Sequence, residues 1–92
     1  MAYAIYFPVK NMSPEKFATV HEELKAIGQE RPEGRVFHAG FRVDGNIQVF
    51  DVWESMETFQ AFGAHLMPIL ARNGIDPGEP QISETELLTP AP

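Results

Sequence analysis

Apolar and polar residues alternate along four short stretches of this chain and recur at helical spacing along two longer ones. From position 2 to 9, Tyr3, Ile5, Phe7 and Val9 stand on one side and Ala4, Tyr6 and Pro8 on the other, which predicts a first strand. Phe17, Val20, Leu24 and Ile27 then recur every three or four residues, the stripe of an amphipathic helix. Ser13 is placed to cap it, Pro14 suits its first position, Glu15 suits the positive end of its dipole, and Gly28 ends it. A polar loop over 29–34 follows. Residues 35–44 and 46–54 then read as two strands folded back about Asp44-Gly45, a strong two-residue hairpin signal. Ser55 caps a second helix, with Glu57 in its first turn and Phe59, Phe62, Gly63, Leu66, Ile69 and Leu70 as its buried stripe. Pro68 lies inside that stripe and predicts a kink or an end to the regular part. Arg72, Asn73 and Gly74 are a stop signal. Residues 81–88 read as a fourth strand and 89–92 as a loose tail.

The order strand, helix, strand, strand, helix, strand is the α+β, ferredoxin-like arrangement. It implies a four-stranded antiparallel sheet with two helices on one face. Ninety-two residues form one domain, 1–92. If Asp44 and Gly45 make the turn, Val43 faces Asn46 and His38 faces Asp51. One face of the hairpin then carries Phe37, Ala39, Phe41, Val43, Gln48, Phe50 and Val52. The other carries Val36, His38, Gly40, Arg42, Ile47, Val49, Asp51 and Trp53. The first face is nearly all apolar and is expected to pack on the helices. The second would stay open in a single chain, and an exposed patch of Trp53, Val36, Val49 and Ile47 marks an interface. A second copy laid across it would close a homodimeric α/β barrel around a cavity.

Composition narrows the function. The net charge of −6 and seven scattered Lys and Arg argue against nucleic-acid binding. The chain has no cysteine, so thiolate chemistry is absent. The N-terminus has no signal-peptide pattern and no apolar run approaches ~20 residues, so a cytoplasmic protein without a membrane span is expected. No phosphate loop, nucleotide fingerprint or serine-nucleophile motif appears. Three histidines on three elements, without a short-spaced ligand pair, make no metal site.

The mixed hairpin face carries the candidate chemistry. Directly opposed side chains have Cβ atoms roughly 4.5–5.5 Å apart. Asp51 can therefore hold one imidazole nitrogen of His38 and leave the other free as a base. The alternative is that His38 only satisfies Asp51 in a polar patch. Trp53 is expected to wall the cavity, with Val36 and Val49 beside it and its N–H needing a partner. Arg42 is a candidate for holding an anion. Tyr6 is expected beside Trp53 if Ile5 and Phe7 face the helices. His65, ahead of Pro68, is a candidate ligand contact at the cavity mouth, whereas His21 reads as a boundary residue.

The run Val49-Phe50-Asp51-Val52-Trp53-Glu54-Ser55, continued by Met56, Glu57, Thr58 and Phe59, resembles the end of strand three and start of helix two in dimeric α/β-barrel proteins. It is most similar to the antibiotic-biosynthesis monooxygenase-like branch, where Trp-Glu-Ser followed by an aromatic four residues after the Ser recurs. In the oxygenases of that branch the matching Trp lines the cavity. A polar amide stands in some of them where this chain has Val49. The haem-degrading branch uses an Asn in strand one, where this chain offers Tyr6. The resemblance implies a homodimeric small-molecule cavity protein. As an enzyme it would be a cofactor-independent monooxygenase acting on an aromatic or polyketide-like substrate. The alternatives are a non-catalytic binding or interaction protein, and an isomerase of enol or lactone substrates.

Overall fold

The computed structural model describes residues 2–89; most of the expected loose tail, positions 90–92, lies outside them. The elements run β1 (Tyr3–Phe7), α1 (Pro14–Ala26), β2 (Arg35–Val43), β3 (Asn46–Trp53), α2 (Met56–Arg72) and β4 (Gln81–Glu84). All strand pairings are antiparallel, in the order β2-β3-β1-β4. This is the ferredoxin-like α+β fold that the element order predicts.

The helix ends follow their sequence signals. Ser13 Oγ accepts from Lys16 N at 3.1 Å, and Ser55 Oγ accepts from Thr58 N at 3.2 Å. α1 closes with Gly28 N on the Lys25 carbonyl and Gln29 N on the Leu24 carbonyl. α2 closes the same way, with Gly74 N on Ala71 and Ile75 N on Leu70. Pro68 does not end α2, which continues to Arg72. The hairpin turn has positive φ at both Asp44 (52°) and Gly45 (79°), the pair of left-handed residues that a tight two-residue turn requires.

The expected register holds from Val43↔Asn46 to Phe37↔Val52 and then shifts. Val36 is bulged out, and Arg35 stands opposite Trp53 in its place. Phe37 and Phe50 do share a face, and His38, Asp51 and Trp53 share the other. The assignment of those faces to helices and open side is the reverse of the one expected. Ile5, Ile47 and Trp53 are buried in one core with Val20 and Leu24 of α1 and Phe62, Ile69 and Leu70 of α2. The helices therefore cover the His38/Asp51/Trp53 face. The open face carries Tyr6, Ala39, Phe50 and three exposed residues: Phe37 at 49 %, Phe41 at 38 % and Val43 at 40 %. Ile47 and Trp53 are thus not part of an open patch, as expected from the sequence, but of the core.

Candidate functional site

The helix-facing side of the sheet carries its ionisable groups in consecutive rows. Arg35 and Trp53 lie in a row with Tyr3, His38 and Asp51 with Ile5, and Gly40 and Val49 with Phe7. Asp51 is the one buried charged residue among those described. Its Oδ1 accepts from His38 Nδ1 at 2.6 Å and its Oδ2 from Trp53 Nε1 at 3.2 Å. Two N–H donors on two oxygens suit a carboxylate, which can only accept. Trp53 is fully buried, with its ring centroid 5.6 Å from that of Phe59 and 5.3 Å from that of Phe62. It holds Asp51 in place from behind.

The other side of His38 meets α1. His38 Nε2 lies 2.9 Å from His21 Nε2, and His21 Nδ1 donates to the Phe17 carbonyl at 2.9 Å. Phe17 packs on both rings, tilted against His21 with centroids 4.3 Å apart and stacked on His38 at 6.4 Å. A polar chain therefore runs from the Phe17 carbonyl through His21, His38 and Asp51 to Trp53. Burial holds His21 below its ordinary value of 6.5, and the charges of His38 and Arg35 act in the same direction. The Phe17 carbonyl and Asp51 oppose them.

These residues line a cavity of about 50 Å³ between sheet and helices. Phe17, Val20 and His21 come from α1, Phe62 and Leu66 from α2, and Arg35, His38, Val49 and Asp51 from the sheet. The Arg35 guanidinium sits 5.7 Å over the Phe62 ring, and one of its N–H groups donates to the Glu30 carbonyl at 3.0 Å. Burial lowers its pKa, against the pull of Asp51. Among the described residues it has no carboxylate within ion-pair distance.

The structure thus brings together His38, Asp51 and Val49, with Trp53 behind them, but under the helices and not on the open face. It does not bring the other candidates to this cavity. Tyr6 points to the open face, where its hydroxyl donates to Gln48 Oε1 and its ring stacks on Phe41. β1 pairs with β3 so that Tyr6 faces Phe50, which places it opposite in sense to Trp53. Arg42 is exposed beside the turn, opposite Ile47. Val36 is in the bulge and exposed. His65 borders a separate, open depression of about 220 Å³ with Gln29, Glu33 and Thr58. No three His, Asp or Glu side chains among the described residues are gathered to hold a metal ion. No described helix is long and apolar enough to cross a membrane.

Two cavity residues escaped the sequence reading. In a regular strand Arg35 and His38, three apart, would face opposite ways; the bulge at Val36 turns Arg35 to the His38 side. His21 stands four residues after Phe17, so the two share a helix face. Its meeting with His38 follows from the face reversal, for which one sequence signal exists. Gly40 lies mid-strand on the His38 side, and an interior strand glycine marks the close approach of another element. Here that element is α1. A Cβ at Gly40 would overlap the Phe17 ring.

No family model and no curated protein matches the chain. Solved structures do. SnoaB, a cofactor-independent oxygenase from Streptomyces nogalater, is 21% identical, with 98% of this chain and 96% of that one covered and a TM-score of 0.62. A candidate antibiotic biosynthesis monooxygenase from Caulobacter crescentus is 18% identical over 96% and 91% of the two chains, with a TM-score of 0.61. Protein YjcS is 15% identical over 94% and 100%, with a TM-score of 0.66. Agreement over nearly the full length of each chain shows that this protein shares their ferredoxin-like α+β fold.

Proposed function

We propose that the cavity binds a small aromatic or polyketide-like enol and that the chain is a cofactor-independent monooxygenase. The observation that carries this reading is the His38–Asp51 pair set into an otherwise mostly apolar cavity. Such a pocket holds a ring by its apolar walls and offers one base to its acidic proton. The substrate's O–H or activated C–H proton passes to the imidazole. The carbanion then gives an electron to dioxygen, the two radicals combine, and the peroxide breaks down. For an activated methylene the balance is one substrate and one O2 giving one ketone and one water.

A cavity of about 50 Å³ is smaller than the ~150 Å³ that takes a benzene in an engineered apolar cavity. A ring must therefore displace the half-buried Phe17 or Leu66 walls. This small volume favours, as the second reading, a binding protein without turnover. Oxygen uptake with a panel of hydroquinones and anthrones separates the two. Uptake that disappears in His38→Ala supports the oxygenase, and ligand binding without uptake across the panel refutes it. We further propose a homodimer through the open sheet face, supported by the exposure of Phe37, Phe41 and Val43 there.

A further inference from the structure

We infer that His21 and His38 act as one base, taking up the substrate's proton between their two Nε2 atoms, and that Arg35 holds the oxyanion this leaves. The inference rests on the base chemistry proposed above and adds to it two residues and a charge requirement: the ligand must be an enol or phenol that binds as its monoanion.

The Phe17 carbonyl can only accept, so His21 Nδ1 carries a proton. Asp51 already accepts from Trp53, and its other oxygen takes the proton on His38 Nδ1. Both rings then have only Nε2 left, and the two Nε2 atoms are 2.9 Å apart. Two lone pairs do not face each other at hydrogen-bond distance without a proton between them. The 2.9 Å spacing is thus the geometry of the loaded pair, with one proton more than two neutral imidazoles, as it would stand after taking up the substrate's proton. Without it, both lone pairs converge on one point at the cavity wall. That point is where an acidic O–H or C–H can leave its proton.

Charge supports the same assignment. Among the described residues, His21, Arg35, His38 and Asp51 are the only titratable or charged ones lining the cavity; α2 and β1 contribute none. With the pair neutral, Asp51 and Arg35 cancel. In the transfer the substrate's O–H or C–H bond breaks, its electron pair stays on the substrate, and the proton moves to the histidine pair. Substrate and site together stay at zero net charge, so no uncompensated charge is buried. Arg35 lacks a carboxylate partner among the described residues and keeps N–H donors beyond the one on Glu30. Fixing the proton on the pair and the anion on Arg35 separates the two charges and slows their recombination.

The test has a ligand-free arm and a probe arm. In nitrogen-15 NMR of the ligand-free wild-type protein, acidification should load the pair, and one downfield proton should then correlate with the Nε2 atoms of both rings and be lost as pH rises. It should vanish in His21→Phe and persist in Arg35→Gln. Two separate, unlinked Nε2 signals at every pH in the wild type would overturn the inference without any variant having to fold. For the probe arm, 4-nitrophenol absorbs differently as phenol and phenolate. Bound to the wild type it should ionise at a pH at least one unit lower than bound to His21→Phe, and Arg35→Gln should weaken capture of the anion about tenfold or more. Equal ionisation on wild type and His21→Phe would refute a joint base. Probe ionisation without oxygen uptake on any substrate would sink the oxygenase reading while leaving this one standing.

Discussion

Replacing Gly40 with alanine tests whether the site is assembled by the pressure of α1 on the sheet. Gly40 has no positive φ, so alanine meets no backbone strain there. By backbone entropy alone Gly→Ala should stabilise the strand by about 0.5–1 kcal/mol. The new methyl, however, would stand 2.8 Å from Phe17 Cε1 and 3.1 Å from Cε2, with Cζ closer still. Ordinary carbon contacts are about 3.5–4.0 Å, so the ring must retreat by about 1 Å. Overpacking of this size costs about 1–3 kcal/mol, leaving a net loss of about 1 kcal/mol and a melting point lower by about 5 °C. The same retreat carries His21, four residues on along α1. Its 2.9 Å link to His38 would then exceed the limit of about 3.2 Å for a hydrogen bond. Thermal unfolding followed by Trp53 fluorescence reads the first effect and histidine NMR the second. Phe17→Leu in the Gly40→Ala background should recover most of the stability, because a shorter side chain vacates the contested space. A Gly40→Ala protein more stable than wild type, with its histidine pair intact, would show that Phe17 does not press on the strand.

Trp53→Ala should lose about 3–5 kcal/mol in urea unfolding, because it opens a void under Phe59 and Phe62 and strips a donor from buried Asp51. A loss under about 1 kcal/mol would contradict its place in the core. Burial lowers His21 below 6.5, so the unfolded chain takes up that proton first as pH falls. Stability that is complete above 6.5 should therefore decline on acidification through the folded value, and His21→Phe should flatten this part of the profile; an unchanged profile would argue against a buried, neutral His21. Light scattering at micromolar concentration should give twice the mass of one chain, and Phe41→Lys on the open face should reduce it to one, whereas a monomeric wild type would remove the dimer.

Most of the fold was legible because its signals are local. Capping serines, the Asp44-Gly45 turn and the two apolar stripes each act within a few residues, and each element formed where they stand. The sorting of hairpin residues into two sets was also legible, since opposed residues in a tight hairpin are fixed by its turn. Which set meets the helices was not. The rule that the more apolar face is the covered one assumes a sheet with one buried face. Here the open face holds Phe37, Phe41, Val43 and Phe50, and the helix side holds an aspartate and a histidine. Apolarity therefore could not decide between them, and Gly40 could.

The same error explains where the site reading succeeded and failed. The His38–Asp51 pair depends only on register, so it survived the exchange of faces. Tyr6 was tied to the cavity through its relation to Ile5 and Phe7, which do face the helices. That relation was sound, and it places Tyr6 on the open side once the cavity moves beneath α1 and α2. Strict alternation puts Arg42 on the His38 face and Arg35 on the other, and a single bulged residue inverts alternation beyond it. Arg35 then gains its function-bearing orientation from a defect in the ladder: if Val36 paired regularly opposite Trp53, the Arg35 guanidinium would lie on the open face and the cavity would hold no cation to offset Asp51 while the histidine pair is neutral. Val36 is therefore the residue the ladder must skip, and its deletion should leave Arg35 next to Phe37, opposite Trp53 and on the cavity side, so that anion capture survives; its loss in a Val36-deleted protein that still folds would refute this account of the bulge.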